Sequence, residues 1–318
     1  LSHSIGRNGF LRRENATILN AALADLGQRT IAAFQSSLAA SGLTCPLWLT
    51  QNDGTLMTAA HAARFPILTL ASGPTNSLRG AAFLTGLRDA VVIDIGGTTT
   101  DLGVLVAGFP RSRSEGAEVA GVATNFRLPD VLSFGLGGGS LVRLSPLAVG
   151  PDSVGYRLTD RARIFGGPDL TATDVAVAAG LLQLGDATRL SDLPPGVVAD
   201  AMALMRARVE EALDRMKPGA APVPVILVGG GAALIDGPLG GASQTLRPDH
   251  AGSANAVGAA IAQVSGEADR VVLDVGGDDG RADEPLEAHQ GLAVDRLCGT
   301  RRLVAGRAQP FTLGQPKS

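Results

Sequence analysis

Asp94-Ile95-Gly96-Gly97-Thr98-Thr99-Thr100-Asp101-Leu102-Gly103 is the stretch on which the reading of this chain turns. It closes an aliphatic run that begins Ala90-Val91-Val92-Ile93, the pattern of a strand covered on both sheet faces. Residues 101–107 read as the returning strand, so the glycines occupy a hairpin tip. Gly96 and Gly97 let the backbone bend sharply and carry N–H groups up to an anion that a side chain would hold away. The hydroxyls of Thr98, Thr99 and Thr100 add neutral donors. Asp94 and Asp101 stand at either end of the loop and would repel a bare phosphate. Two acids there make chemical sense when a divalent cation or its water shell lies between them and a nucleotide, and Mg2+ is the natural ion. An ordinary polar turn explains the glycines, but not two acids flanking three consecutive hydroxyls.

A second aliphatic run, residues 223–228, enters Gly229, Gly230 and Gly231 and is followed by an Ala-rich helix near residues 253–264. Glycines at such a strand end leave room for the base and ribose of a nucleotide, or let a helix pack tightly on the strand. A third cluster, Gly137, Gly138, Gly139 and Ser140, either lines the nucleotide cleft, with Gly138 and Gly139 as contacts, or forms a bulge. Asp274-Val275-Gly276-Gly277-Asp278-Asp279-Gly280 imitates the first loop but places two extra negative charges where phosphate would lie, so it reads as an acidic surface turn.

With 318 residues, 45% of them apolar, the chain can bury a substantial core and has room for about two domains. A net charge of -3 without a Lys/Arg run gives nucleic acid no electrostatic footprint. Cys45 and Cys298 are too few for a disulfide framework and read as reduced thiols. No apolar run of about 18 residues is present, so no membrane partner is expected and a soluble, cytoplasmic chain is. His61, His250 and His289 have no ligand at metal-site spacing. Trp48 and Tyr156 read as packing aromatics, and Arg111 and Arg113 as solvated.

Apolar residues at helical spacing (Ile18, Leu19, Ala22, Leu26, Ile31, Phe34, Leu38) predict a long amphipathic helix over residues 14–40. Short strands are expected at residues 46–50 and 67–71, with a turn at 52–54 and a brief helix at 58–64 between them. Ser72-Gly73-Pro74 opens a helix that could reach residue 87. Strand-like pieces recur over residues 125–144. Residues 145–216 read as an insertion, mainly helical, with helices starting at Thr171 and Asp192. Residues 267–318 are harder to read and are expected to be partly frayed.

The Asp94 loop and the glycines at 229–231, in that order, resemble the phosphate and adenosine motifs of the actin, hexokinase and chaperone ATPase superfamily. A narrower resemblance covers most of residues 1–266. Leu1-Ser2-His3, Arg13-Glu14-Asn15-Ala16-Thr17 with Asn20-Ala21, Ser72-Gly73-Pro74, the Asp94 loop, residues 135–140, residues 171–174, Gly229-Gly230-Gly231 and Ala254-Asn255-Ala256-Val257-Gly258-Ala259-Ala260 are similar, in succession, to landmarks of the hydantoinase A / 5-oxoprolinase family. That family includes ATP-dependent hydantoinases, 5-oxoprolinases and the related acetone and acetophenone carboxylases.

The resemblance implies an α/β, actin-like (ribonuclease H-like) fold with a mixed sheet flanked by helices, and one of its two phosphate hairpins. It implies an ATP-dependent hydrolase subunit that activates a cyclic amide or imide carbonyl by phosphoryl transfer. ATP and Mg2+ would be the cofactors, held by Gly96, Gly97, Thr98, Thr99, Thr100, Gly138, Gly139, Gly229, Gly230 and Gly231. Asp94 would hold the metal, and Asp101 would orient an attacking group or a metal-bound water. A B-type subunit would complete ring opening. The amino-terminal domain bearing the other hairpin is missing, so either the sequence begins mid-protein, as Leu1 in place of Met suggests, or a separate polypeptide supplies that half; the chain alone is expected to be nearly inactive. The competing readings are a subunit of an acetone- or acetophenone-type carboxylase and a non-catalytic nucleotide-binding module.

Overall fold

A computed structural model describes residues 5–6, 9–113, 118–119 and 121–264, with the backbone of Ala293–Val294 and Leu303–Val304. The acidic turn at 274–280, His289 and Cys298 lie outside the described residues.

The chain opens on α1, Leu11–Ala40. The helix is as long as its periodicity predicts, but it is only weakly amphipathic: Ile18, Leu26 and Phe34 are 67%, 57% and 54% exposed, while Ala16, Asn20 and Ile31 are buried. Only a narrow side is covered, by the segment around Pro66 and by the hairpin of β1 (Trp48–Thr50) and β2 (Thr55–Thr58). Asp53 Oδ1 fixes that hairpin turn by accepting from Thr55 N and Oγ1 at 2.9 and 2.6 Å. Thr58 then caps α2, Ala59–Arg64, which holds His61 as expected. The strand expected at 67–71 is instead a 3-10 turn, Pro66–Thr69. Ile67 is fully buried, as its sequence suggests, but its N–H goes to the side chain of Asn20 on α1 rather than to a strand neighbour. A short buried apolar run does not by itself distinguish a strand from another packed segment.

Helix α3, Ser72–Thr85, stops at Gly86 in the left-handed region. Next come β3, Ala90–Ile95, and β4, Thr100–Val106, the hairpin read from the sequence. Strand β5 is Phe109–Pro110, the small ladder of β6 and β7 joins Glu118–Val119 to Val122–Ala123, and β8 is Val131–Phe134. Strand β9, Ser140–Leu144, pairs with β10, Leu147–Ser153, so the region read as a helical insertion from residue 145 begins with a strand. Helices α4, Leu158–Arg161, α5, Ala172–Ala178, and α6, Val197–Met216, follow. Helix α5 starts at the predicted Thr171 cap, but α6 starts after Gly196 rather than at Asp192, whose carboxylate pairs with Arg163 at 3.3 Å. Strands β11, Val223–Val228, and β12, Ala242–Leu246, precede α7, Ala254–Ala260, and β13, Gln263–Val264, which runs parallel to β2.

The central sheet runs β12-β11-β3-β4-β5, with β8 also paired to β4. Strand β11 is parallel to β3 and to β12, whereas β4 is antiparallel to its neighbours. Counted within this six-stranded sheet, the order is sixth, fifth, first, second, third, with the fourth strand, β8, also on the second, and only the second strand is reversed: the mixed α/β sheet flanked by helices that the sequence led one to expect. One face packs Val91, Ile93, Ile95 and Leu102 against α5 and α6 residues such as Val175, Met205 and Leu213. The other packs Val92 and Val228 beneath Leu78 and Ala81 of α3 and Ala254 of α7. Helices α3 and α7 approach so closely that a side chain at Gly80 would collide with the Ala254 carbonyl, and one at Gly258 with the Asn76 carbonyl.

Two readings of single residues are corrected by packing. Tyr156 is 96% exposed and fills no core. Arg111 is half-buried rather than solvated: its guanidinium holds Asp130 at 2.7 Å, and Arg113 flanks the same carboxylate.

Candidate functional site

The β3–β4 tip brings Asp94 and Asp101 face to face as register partners. Gly96 N donates to Thr99 O at 2.9 Å, leaving Gly97 and Thr98 at the apex. Gly97, Thr98 and Thr99 are exposed, and a side chain on Gly97 would meet nothing within 4 Å.

The carbonyls of this loop are the informative atoms. Ile95 O accepts from Gly231 N at 2.7 Å, Gly96 O from Gly138 N at 3.0 Å, and Gly97 O from Gly139 N at 2.7 Å. Each carbonyl is thus drawn back into protein. The amides of Gly97, Thr98 and Thr99 donate to no backbone carbonyl among the described residues. Successive free N–H groups on a bend whose carbonyls are turned away form an anion-binding concavity.

The tie-back settles what the other glycines do. Gly138 and Gly139 are buried, and their amides are already spent on the loop, so they brace it and offer no donor to a ligand. Gly137 passes so close that a methyl there would lie 2.5 Å from Thr98 N, 2.6 Å from Gly97 C and 2.7 Å from Gly96 O. The strap is anchored in turn by Thr173, whose N–H and hydroxyl both donate to Gly138 O at 2.9 and 2.8 Å. Thr173 lies in the first turn of α5, where Thr171 and Asp174 form a capping box and Asp174 also accepts from Ile164 N at 2.8 Å.

Thr100, read as a phosphate donor, is fully buried, and its hydroxyl donates to Leu136 O at 2.7 Å. It fixes the approach of the strap instead. At the end of β11, Gly229 and Gly231 sit against the Asp94 carboxylate and the Ile95 and Gly96 backbone with no space for a side chain. Their amides go to Ala251 O and Ile95 O. Gly230 differs: it stands clear of its neighbours, and a side chain added there would meet nothing within 4 Å. The surface left open therefore runs from Gly97, Thr98 and Thr99 to Gly230, past the two aspartates.

Asn255 of α7 reaches Ser77 Oγ of α3 at 3.3 Å and Gly73 O at 2.9 Å. Burial raises the Asp94 pKa above the ordinary carboxylate value; the nearby Ser77 hydroxyl opposes the shift, and the neighbouring Asp101 charge adds to it. Ser133 on β8 donates to Asp101 Oδ1. Among the described residues no three His, Cys, Asp or Glu side chains gather into a metal cage. A cation held by one or two carboxylates that takes its remaining ligands from phosphate and water fits Asp94 and Asp101. Ser77 and Ser133 carry no signal in the linear sequence, whereas Asn255 lies in the run at 254–260 on which the family resemblance rests.

Residues 13–189 match the hydantoinase/oxoprolinase family. The chain belongs to that family. It is 27% identical over 222 residues to the acetophenone carboxylase gamma subunit of Aromatoleum aromaticum, across 67% of this chain and 29% of that protein. An acetone carboxylase solved without nucleotide superposes with a TM-score of 0.66 at 21% identity, over 80% of this chain and 41% of that one. The ATP-dependent caprolactamase of Pseudomonas jessenii superposes at 0.61 with 19% identity, over 83% and 43%. This hydantoinase/oxoprolinase-family chain thus spans less than half the length of each of these relatives, and the two structures share its fold. Among the described residues no helix is long and apolar enough to cross a membrane.

Proposed function

We propose that this chain is the nucleotide-binding part of an ATP-dependent enzyme that activates a cyclic amide or imide carbonyl for ring opening. The observation that carries the reading is the tie-back of the Ile95, Gly96 and Gly97 carbonyls, while the Gly97, Thr98 and Thr99 amides have no backbone acceptor among the described residues. Those amides, with the Thr98 and Thr99 hydroxyls, hold the polyphosphate. Gly230 gives the nucleoside room at the end of β11. Asp94 and Asp101 hold Mg2+, directly or through its water shell, and Asp101 orients the attacking group. Bound Mg-ATP would supply a phosphoryl group to the amide oxygen, releasing ADP, and so relieve the carbonyl carbon of the lone-pair donation that makes it a poor electrophile.

The chain's own contribution is positioning and charge neutralisation. The strap and Thr173 keep the loop preformed, Ser133 orients the Asp101 carboxylate, and the aspartates offset charge at the phosphates through the cation. A domain bearing the second phosphate hairpin, in cis or in trans, completes the clamp. A B-type subunit completes ring opening.

The similarity to an acetophenone carboxylase subunit favours a second reading, in which the same ATP chemistry activates a ketone for carboxylation. Phosphate release by the complete assembly separates the readings: stimulation by hydantoin or 5-oxoproline supports the first, and stimulation by a ketone with bicarbonate the second. No stimulated release leaves a non-catalytic module. Asp101→Asn in that assembly should lower ATP turnover by at least about a hundredfold; an unchanged rate removes Asp101 from the mechanism.

A further inference from the structure

The turn that leaves β10 is packed against the apex of the β3–β4 loop. Ser153 Oγ donates to Gly97 O at 3.4 Å, Val154 N to Gly139 O at 2.9 Å, and Gly155 N to Ser153 Oγ at 3.1 Å. Gly155 takes a left-handed φ of 56°, and a methyl there would stand 3.9 Å from Thr98 Oγ1. The neighbours of the loop therefore run from its base, where Gly231 N meets Ile95 O, to its apex, where Gly155 lies beside Thr98.

Past this point the chain makes a 3-10 turn, Gly155–Arg157. Val154 is buried and pins the turn, but Tyr156 is 96% exposed and Arg157 is exposed with it. The other arginines of this stretch each hold an aspartate: Arg143 with Asp152 at 3.6 Å, Arg161 with Asp169 at 2.6 Å and Arg163 with Asp192 at 3.3 Å. The Arg157 guanidinium holds no acid and no hydrogen-bond acceptor among the described residues. At about 2 Å of rise per residue, its Cα lies about 4 Å along the turn from that of Gly155, so its side chain can reach the space over Thr98. The site otherwise lacks fixed positive charge. Residues 94–101, 135–140, 171–174 and 229–231, which build it, contain neither Lys nor Arg. Their amides and hydroxyls are neutral donors, and the Asp94 and Asp101 carboxylates consume part of the charge of any cation they hold.

We propose that Arg157 binds the terminal phosphoryl group of the nucleotide and stabilises that group during its transfer. The inference rests on the nucleotide reading of the Gly97–Thr99 loop and adds the residue that distinguishes a triphosphate from a diphosphate. With the nucleoside at Gly230, by the loop base, the terminal phosphate lies at the apex, on the side of Gly155. The planar guanidinium donates to two phosphoryl oxygens at once, as a lysine ammonium does not. The bond from the acceptor oxygen to phosphorus forms as the bond to the bridging oxygen breaks, and ADP leaves with that electron pair. Arg157 keeps its protons throughout and contributes charge and hydrogen bonds to the oxygens of the moving group.

Calorimetry of the 318-residue chain with Mg-ATP and with Mg-ADP tests this. The wild-type chain should bind Mg-ATP about tenfold more tightly than Mg-ADP, and Arg157→Ala should remove that preference by weakening Mg-ATP alone. Because Arg157 has no partner in the folded chain, the variant should unfold at the wild-type temperature, which separates lost binding from lost fold. Arg29→Ala, which removes the same charge from the exposed side of α1, should keep the preference. In the complete assembly Arg157→Ala should lower ATP turnover at least about a thousandfold, and Arg157→Lys should retain part of the Mg-ATP preference without restoring the rate. Equal binding of the two nucleotides by the wild-type chain, a preference kept by Arg157→Ala, an equal loss for both nucleotides, or the same loss in Arg29→Ala overturns the role of Arg157 and leaves the nucleotide site standing. No binding of either nucleotide at about 10 mM sinks the nucleotide reading itself, and this inference with it.

Discussion

Gly137→Ala probes the braced loop directly. The added methyl would stand 2.5 Å from Thr98 N, 2.6 Å from Gly97 C and 2.7 Å from Gly96 O, all backbone atoms with no rotamer to yield. Ordinary contact begins at 3.4 Å, so strap and loop must separate by about 1 Å. That displacement strains the bonds from Gly138 N to Gly96 O and from Gly139 N to Gly97 O, at 3.0 and 2.7 Å. Overpacking of this kind costs about 1–3 kcal/mol. Carbonyls freed from the strap can turn toward the bound anion, and a shift of about 1 Å in a positioning element costs about a hundredfold in rate. The assays are thermal unfolding of the chain, Mg-ATP affinity by calorimetry and ATP turnover in the complete assembly. The variant should unfold at lower temperature and bind Mg-ATP at least about tenfold more weakly. Wild-type affinity and turnover in a variant that does melt earlier would refute the claim that the strap sets the loop.

Other outcomes follow from the same geometry. Because burial and Asp101 raise the pKa of Asp94, the folded chain keeps a proton at a pH where the unfolded chain has lost it. Stability therefore falls as pH rises from the ordinary carboxylate range through the raised value, and Asp94→Asn should melt higher than wild type at about pH 7, with the gain shrinking toward about pH 3; a pH-independent difference contradicts this. Thr173→Val removes the hydroxyl bond to Gly138 O but keeps the N–H bond, so about 0.5–1.5 kcal/mol should be lost in urea unfolding, and Thr173→Ser should restore it. Gly258→Ala drives a methyl into the Asn76 carbonyl at the α3–α7 crossing and should cost about 1–3 kcal/mol; a neutral result means the helices can slide apart freely. The wild-type chain by itself should bind Mg-ATP weakly, and a submicromolar calorimetric affinity would show that the second hairpin is not needed for binding.

The linear sequence determined the strands β3, β4 and β11, the hairpin at the Asp94 loop, the Thr171 cap and the family, because each rests on local chemistry: an unbroken aliphatic run, glycines at a bend, a hydroxyl three residues before an acid. It also placed Gly138 and Gly139 among the candidate nucleotide contacts. Only the tertiary structure decided that Gly138, Gly139 and Thr100 face inward while Gly97 and Gly230 stay open, since a backbone amide's partner across forty or more residues leaves no periodic trace. The same holds for the segment after Pro66, where Ile67 announces burial but its hydrogen-bond partner, Asn20, lies 47 residues away. Composition tells which groups must be buried or paired; which of them meet is fixed by how α1, α3, α5 and α7 settle on the sheet.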